Sequence, residues 1–138
     1  MPVADTDPLS DQDILARTIW GEARNQGELG MQAIACVVVN RVNHPSWWGA
    51  NVRSVCLKPY QFSCWNLGDP NRPQLMAVTS DDPQYADCLT ISGNAINGGL
   101  SDCTNGADSY RVVGTYARWA EGLQPVAVIG QHEFFKTI

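Results

Sequence analysis

Basic side chains are scarce in this chain. Its 138 residues include 9 Lys and Arg against 14 Asp and Glu, which gives a formal net charge of −5 at pH 7. Proteins whose main partner is nucleic acid or an anionic membrane carry a basic stripe that attracts phosphate groups. The sequence has no such stripe, so neither nucleic acid nor an anionic membrane is expected as the partner.

Long hydrophobic runs are also missing. The longest strongly apolar run covers residues 33–39, far short of the roughly 20 residues that a membrane span requires. Residues 1–7 have neither the positively charged start nor the apolar segment of a secretory signal. We therefore expect synthesis in the cytoplasm without a signal peptide, and no membrane insertion.

The cysteines do not follow a recognised metal or disulfide pattern. Their number, five, is odd, and no two have the C-x-x-C spacing of a zinc site. Cys36 lies inside the apolar run, which predicts a small buried residue. The pairs Cys56 with Cys64 and Cys88 with Cys103 would close short loops in an oxidising compartment, but spacing leaves the connectivity open. Neither a metal nor another cofactor is expected.

The remaining pattern predicts one mainly helical domain. Ser10 followed by two aspartates marks a helix start, and apolar residues then recur every three to four positions as far as Ala23. We predict an α+β fold with a small β element for residues 11–138, after an N-terminal extension over residues 1–10. The predicted elements are helices over 11–23, 28–42, 52–56 and 83–96, a loop over 66–82, a short helix near 115–121, and a strand at 126–129 or 132–135.

Glu22 is the carboxylate with the most informative predicted position. It follows Ile19 by three residues and Thr18 by four, at the edge of the buried face and the C-terminal end of the first helix. The helix dipole and partial burial both disfavour a charged carboxylate there. A carboxyl group that keeps its proton at neutral pH is what a general acid requires. A solvated glutamate paired with Arg24 or Arg17 is the alternative.

Several short motifs in a fixed order give a more specific indication. They are Trp20-Gly21-Glu22-Ala23-Arg24, Gly30-Met31-Gln32-Ala33-Ile34-Ala35, Val39-Asn40-Arg41-Val42, Gln61-Phe62-Ser63, Thr104-Asn105-Gly106-Ala107-Asp108-Ser109-Tyr110, Trp119-Ala120 and Ile129-Gly130-Gln131-His132-Glu133-Phe134-Phe135. Spread over about residues 11–135, they resemble the spore-cortex-lytic and cell-wall hydrolase family (SleB/CwlJ-like). The compact form, without peptidoglycan-binding repeats, resembles the endolysin-type members found in phages.

The resemblance implies a lysozyme-like domain that cleaves the MurNAc-GlcNAc glycan strand of peptidoglycan, with Glu22 as the catalytic acid. A lytic transglycosylase needs only one such group, because the C6 hydroxyl of the muramoyl unit attacks its own C1. A hydrolysing muramidase needs a second carboxylate. The sequence leaves that second residue open among Glu28, Asp69, Asp102, Asp108 and Glu133. An endolysin-type enzyme would be a monomer that reaches the wall, in the periplasm or outside the cell, after the membrane is permeabilised.

Six further residues are predicted to contact the glycan. They are Gln61, Phe62, Ser63, Trp65, Tyr110 and His132. The amide and hydroxyl of the 61–63 segment suit N-acetyl and sugar hydroxyl groups, and the ring of Phe62 is expected to pack behind Glu22. Tyr110 is predicted to line a subsite or to bond near the scissile linkage. It is followed by Arg111, where the family often has an aromatic residue or histidine.

Tryptophan is abundant, with five residues in a chain of this length. Most of these side chains are expected in the core or in cleft walls, and sugar faces stack on such rings. The adjacent Trp47 and Trp48 are predicted to be exposed together. They would then form an apolar patch that a monomer rarely carries without a use.

Three other functions fit parts of the sequence. A zinc amidase or peptidase needs three protein ligands, but the chain has only His44 and His132 as histidines and no H-E-x-x-H motif. A cysteine peptidase would combine Cys64 or Cys56 with His132, although neither cysteine begins a predicted helix that would lower its pKa. A non-catalytic glycan-binding module would use the tryptophans and bind walls without clearing them.

Overall fold

The computed structural model describes residues 10–138. Its helices are α1 (Asp11–Ala23), α2 (Gly27–Asn43), α3 (Val52–Leu57), α4 (Asn71–Ala77) and α5 (Pro83–Ile96). They are followed by strands β1 (Ser109–Val112), β2 (Ala127–Ile129) and β3 (His132–Phe135). Single turns of 3₁₀ helix lie at Ser63–Trp65 and Arg118–Ala120. This order confirms the mainly helical α+β class. Of the extension predicted for residues 1–10, all but Ser10 lies outside the described residues.

Helices α1 and α2 form the centre of the core, as the sequence pattern predicts. The Ser10 hydroxyl accepts a hydrogen bond from the backbone N–H of Asp13 at 3.1 Å, which satisfies a free donor at the start of α1. α1 packs against both α2 and α5. In α2, Val37 and Val38 are fully buried, so burial outweighs the weak helix propensity of β-branched residues. Both predicted helices are confirmed to within one residue at each end.

The prediction of a loop over 66–82 is wrong in its central part, because α4 occupies it. Pro73 lies in the first turn of α4, where backbone N–H groups need no helical partner. Leu75 is fully buried. The guanidinium of Arg17 donates from Nη1 to the backbone carbonyls of Leu75 and Val78, at 2.6 and 3.0 Å. These contacts with α1 stabilise a seven-residue helix that its own sequence does not predict.

Helix α5 has the ends that the sequence predicts. The Asp82 carboxylate accepts from the backbone N–H of Tyr85 at 2.9 Å, and Pro83 occupies the first turn. Gly98, with φ of 77°, follows the last turn. The short helix predicted near 115–121 shrinks to the single 3₁₀ turn at Arg118–Ala120.

The C-terminal sheet contains three antiparallel strands in the order β1-β3-β2. Both alternative strand predictions, 126–129 and 132–135, correspond to real strands, whereas β1 was not predicted. β3 is central and pairs Phe134 with Tyr110 of β1. Gly130 turns the chain between β2 and β3, and a Cβ there would lie 2.7 Å from the side-chain oxygen of Gln26. The same oxygen accepts from the backbone N–H of Gln131 at 3.0 Å, which attaches the sheet to the start of α2.

All five cysteines are free. The structure therefore pairs neither Cys56 with Cys64 nor Cys88 with Cys103. Instead, the sulfur atoms of Cys36, inside the apolar run, and Cys103 lie 4.0 Å apart. Within residues 10–138, no helix combines the length and apolar character needed to cross a membrane.

Candidate active site

One cleft, of about 910 Å³, brings together residues from both ends of the chain. Its walls come from the end of α1, from α2, from the segments 60–63 and 115–119, and from β1 and β3. Its lining residues include Gly21, Glu22, Arg41, Trp47, Tyr60, Gln61, Phe62, Ser63, Asn71, Ser109, Tyr110, Arg111, Tyr116, Trp119 and His132. Glu22 contributes the one Asp or Glu side chain in this lining.

Glu22 is held at the end of α1 by a close approach between two segments. A Cβ on the neighbouring Gly21 would lie 2.8 Å from the Cβ and Sγ of Cys64 and 2.9 Å from Leu75. Only glycine therefore lets the 3₁₀ turn at Ser63–Trp65 lie this close to α1. The backbone N–H of Cys64 then donates to Glu22 Oε2 at 3.3 Å. Half-buried Glu22 thus presents its carboxylate to the cleft with one oxygen held by the backbone.

The other carboxylate oxygen is held by Tyr110. The phenolic hydroxyl of Tyr110 donates a hydrogen bond to Glu22 Oε1. The Tyr110 ring is fixed by contacts with Phe62, Phe134 and His132, whose ring centroids lie 6.4, 5.6 and 5.0 Å away. Burial, together with the nearby Glu22 carboxylate, raises the pKa of Tyr110 well above its usual value. Tyr110 therefore keeps its proton and acts as a hydrogen-bond donor across the neutral range.

Two nitrogen-bearing side chains lie on either side of this pair. Arg41 of α2 is 6% exposed and donates from Nε to the carbonyl oxygen of Asp108 at 2.7 Å. Burial lowers the pKa of the Arg41 guanidinium, while Tyr110 and Asp108 oppose that shift. His132 of β3 is 7% exposed, and burial lowers its pKa below the usual value, with Glu22 opposing the shift. His132 is therefore neutral at pH 7.

The candidates for a second carboxylate lie elsewhere, and two of them anchor the chain. Asp108 is 3% exposed, and it accepts hydrogen bonds from the Ser109 hydroxyl and from the backbone and hydroxyl of Thr137. Asp102 accepts from Thr104, Asn40 and Gly106. Although its partial burial opposes the shift, these bonds together lower the pKa of Asp102. Both acids hold the loop before β1 rather than facing the cleft.

The other three acids are also absent from the cleft lining. Asp69 accepts from the backbone N–H of Asn71 at 2.8 Å, at the start of α4. Glu133 forms an ion pair with Arg111, in which Nε and Oε1 are 2.7 Å apart. Glu28 is exposed in the first turn of α2.

Exposed aromatic side chains surround the cleft. Four tryptophan and tyrosine residues in the described chain are strongly exposed: Trp47 (56%), Tyr60 (84%), Tyr116 (74%) and Trp119 (44%). All four line this cleft. Side chains of this size are costly to leave in water, and their faces suit the apolar faces of sugar rings. The cleft that contains Glu22 therefore has several exposed aromatic rings on which sugars can stack.

The predicted exposed pair of tryptophans is wrong in one member. Trp48 is fully buried, and its indole N–H donates to the carbonyl oxygen of Arg41 at 3.0 Å. Trp47 alone remains exposed and lines the cleft. The hydrogen-bond partner of the Trp48 indole lies inside the core. Two adjacent tryptophans in a sequence do not show which of them has such a partner.

The structure places five of the six predicted glycan contacts at the cleft. They are Gln61, Phe62, Ser63, Tyr110 and His132. Trp65 is the one predicted contact that the structure does not place in the lining. It packs against the core, and its indole N–H donates to the Thr18 hydroxyl at 2.9 Å.

Sequence reasoning gave no role to several residues of the cleft. Arg41 was noted only within a family motif, and Tyr60, Tyr116 and Trp119 were not proposed as contacts. Tyr60 and Tyr116 lie in turn-rich segments, and an aromatic residue in such a segment is the signal that would have identified them. Arg41 gives no comparable signal, because one arginine at a helix end usually faces solvent.

The cysteines near the cleft are in the protonated, unreactive form. Burial raises the pKa of the Cys56 thiol to about 12. Burial and the adjacent Glu22 raise that of Cys64 further. Both residues are therefore thiols at neutral pH, whereas a cysteine nucleophile reacts as the thiolate. Across residues 10–138, no group of three or more His, Cys, Asp and Glu side chains is arranged to hold a metal ion.

Comparisons with known proteins identify the family. The chain is 30% identical over 128 residues to a spore cortex-lytic enzyme of Halalkalibacterium halodurans. The match covers 91% of this chain but only 35% of that enzyme, so the chain spans about a third of the relative's length.

Two solved structures share the fold. The catalytic domain of the germination-specific lytic transglycosylase SleB from Bacillus anthracis gives a TM-score of 0.72 at 25% identity, covering 96% of this chain and 100% of that one. The catalytic domain of Bacillus cereus SleB gives the same TM-score and identity, covering 99% and 97%. The cell wall hydrolase family profile matches residues 25–135, a segment that begins just after Glu22. The chain belongs to the cell wall hydrolase family.

Proposed function

We propose that this protein is a lytic transglycosylase that cleaves the glycan strand of peptidoglycan, with Glu22 as its catalytic acid and base. The observation that carries the proposal is a large cleft whose lining includes a single Asp or Glu side chain. That side chain is fixed through both oxygens, by Tyr110 and by the backbone of Cys64. The relatives named above include a lytic transglycosylase and a spore cortex-lytic enzyme.

One carboxyl group suffices for this reaction. Glu22 first donates its proton to the glycosidic oxygen, and the bond from that oxygen to C1 of the muramoyl unit breaks. The C6 hydroxyl of the same unit then attacks C1, and the Glu22 carboxylate takes the hydroxyl proton. The product has a 1,6-anhydro ring, and Glu22 ends with its proton restored. Because the nucleophile is part of the substrate, its effective concentration contributes about 7–11 kcal/mol to lowering the barrier.

A hydrolysing muramidase is the second candidate. Its second carboxylate would lie about 5–5.5 Å from the acid in a retaining enzyme, or about 6.5–9.5 Å in an inverting one. The described cleft offers Glu22 alone, and the five acids considered from the sequence are absent from its lining. This favours the transglycosylase.

The cleft also suits an anionic substrate despite the net charge of −5. Its lining contains Arg41 and Arg111 as well as Glu22, so the local balance of charge is less negative than that of the whole chain. Stacking on the exposed aromatic rings and hydrogen bonds from Gln61 and Ser63 would supply the rest of the binding.

Product analysis tests the reaction. Purified peptidoglycan is digested, and the soluble fragments are analysed by mass spectrometry. A transglycosylase releases 1,6-anhydromuramic ends, which are lighter by one water than reducing ends. Reducing ends would assign the enzyme as a muramidase. Binding without release of fragments would identify a glycan-binding module.

The physiological setting is part of the proposal. The protein would act as a monomer of the phage endolysin type, reaching the wall once the membrane is permeabilised. Size-exclusion chromatography tests the first point. Expression with and without a membrane pore tests the second: lysis in both cultures would contradict the need for permeabilisation.

A further inference from the structure

Two buried side-chain nitrogens in residues 10–138 have no hydrogen-bond partner, Arg41 Nη1 and His132 Nδ1. Both residues line the active-site cleft. Buried polar groups in folded proteins are almost always paired, so an unpaired one calls for an explanation. The arginine is the more demanding case, because its group is charged and every nitrogen is a donor.

The surroundings of the Arg41 guanidinium are aromatic. Its Cζ lies 5.2 Å from the ring centroid of Trp48, 5.4 Å from that of Phe62 and 5.9 Å from that of Trp47. Its Nε is bonded to the carbonyl oxygen of Asp108. The two ion pairs found in the described chain do not include Arg41. A buried cation therefore has one carbonyl and three rings around it. In the described chain no carboxylate is close enough to form an ion pair with it, and Asp108 acts on it only from a longer distance.

The ligand that completes this site must supply an oxygen that accepts a hydrogen bond, and an oxygen without a hydrogen of its own suits the site best. A sugar hydroxyl brings its own hydrogen, which the guanidinium and the rings cannot accept as a conventional bond. An acyl group brings a strong acceptor without a hydrogen. It also brings an apolar portion that can pack on the rings.

We propose that Arg41 donates a hydrogen bond from Nη1 to an acyl oxygen of the bound glycan, either the carbonyl of an N-acetyl group or the lactyl carboxyl group. This inference rests on the proposed function and names the substituent that the cleft recognises. Trp47 is the ring that moves to admit the acyl group, because it is 56% exposed whereas Trp48 and Phe62 are buried. Arg41 is thus a specificity-determining residue in the same cleft as Glu22.

The binding test compares two peptide-free tetrasaccharides. Tetra-N-acetylchitotetraose carries only acetamido groups, whereas the tetramer of alternating N-acetylglucosamine and N-acetylmuramic acid also carries lactyl groups. Calorimetry measures their dissociation constants with the wild-type chain and with Arg41→Met. Loss of a hydrogen bond to a charged donor should weaken binding by about tenfold to a hundredfold. Weaker binding of both ligands assigns the acetamido oxygen, and weaker binding of the muramic tetramer alone assigns the lactyl oxygen.

Arg17→Met is the matched control. Arg17 is also packed over an aromatic ring, that of Tyr85, and is bonded to backbone carbonyls, but it does not line the cleft. The Arg17→Met variant shows how much the loss of a semi-buried arginine changes binding through stability alone. Its dissociation constants for both tetramers should match those of the wild type.

A second measurement uses the wild-type chain and so does not depend on whether Arg41→Met folds. In the wild-type chain labelled with ¹⁵N-arginine, the Arg41 guanidinium resonance, assigned by its absence in Arg41→Lys, should shift when the acyl-bearing tetramer is added. The inference is overturned if the resonance does not shift, if Arg41→Met binds both tetramers as well as the wild type, or if a wild type that clears walls binds neither. Failure of the wild type to clear walls at all would refute the proposed function instead.

Discussion

Replacing Glu22 with glutamine removes the proton that the reaction needs while nearly preserving the shape of the side chain. The amide oxygen can still accept from Tyr110, but the amide nitrogen cannot accept from the Cys64 N–H. Because the acceptor is a carboxylate, losing that bond costs about 1.5–3 kcal/mol. Removing a negative charge from the C-terminal end of α1 stabilises the folded chain by about 0.3–1 kcal/mol, because the helix dipole is negative at that end. The free energy of unfolding should therefore fall by about 0.5–2.7 kcal/mol, which lowers Tm by about 2–9 °C.

Activity should respond far more strongly than stability. A general acid typically contributes about 10²–10⁴-fold to the rate, so the clearing of purified walls, followed by turbidity, should fall by at least that order. Glu133→Gln is the matched control, since it makes the same substitution at a glutamate that does not line the cleft and leaves Arg111, its ion-pair partner in the lining, in place. It should clear walls within a few-fold of the wild-type rate. A folded Glu22→Gln protein that clears walls at more than about a tenth of that rate would refute the assignment of Glu22 as the acid.

Three further predictions follow from the contacts around Glu22. Tyr110→Phe removes the donor to Glu22 Oε1 and should slow wall clearing by about tenfold to a hundredfold, as expected for a bond to a charged group; an unchanged rate in a folded variant would contradict a positioning role. Because burial lowers the pKa of His132 from 6.5, the unfolded chain takes up this proton more readily. The free energy of unfolding should therefore fall as pH drops through 6.5 towards the folded pKa, and urea titrations of His132→Phe should show a smaller decline. Burial raises the pKa of Cys56 to about 12 and that of Cys64 higher still, so iodoacetamide at pH 8 should leave both unmodified by mass spectrometry until denaturant is added; rapid alkylation with loss of clearing would support the cysteine peptidase.

The helical part of the fold was predictable because its signals are local. The Ser10 cap and the apolar spacing of the first helix, and the Asp82-Pro83 start of α5, act within a few residues of the chain. The stretch without Gly or Pro over residues 31–42 of α2 is long enough to distinguish a buried helix from a strand. The same local signals predict that Glu22 lies at the end of a helix. Its neighbour in the motif is Gly21, where a larger residue would clash with Cys64.

The failures have a common origin in contacts between distant segments. α4 depends on Arg17 of α1, which binds two of its carbonyls. Trp47 and Trp48 are neighbours in the chain, yet one faces the cleft and the other bonds to Arg41 inside the core. Periodicity and composition carry no information about such partners, since the energy of each contact arises only when the chain has folded.

By itself, the sequence determined four of the helices, the mainly helical class and the position of Glu22 at the end of α1, because helix capping, apolar spacing and the Trp-Gly-Glu motif are written in consecutive residues. Tertiary structure alone decided that Tyr110, 88 residues away, bonds to Glu22, and that the other acids fall outside the cleft. It also decided that Arg41 lines the same cleft as Glu22 and Tyr110, with its Nη1 unpaired. These arrangements depend on how β1 pairs with β3 and how both pack near α1 and α2, and such long-range packing is fixed by the burial of the whole core rather than by any local pattern.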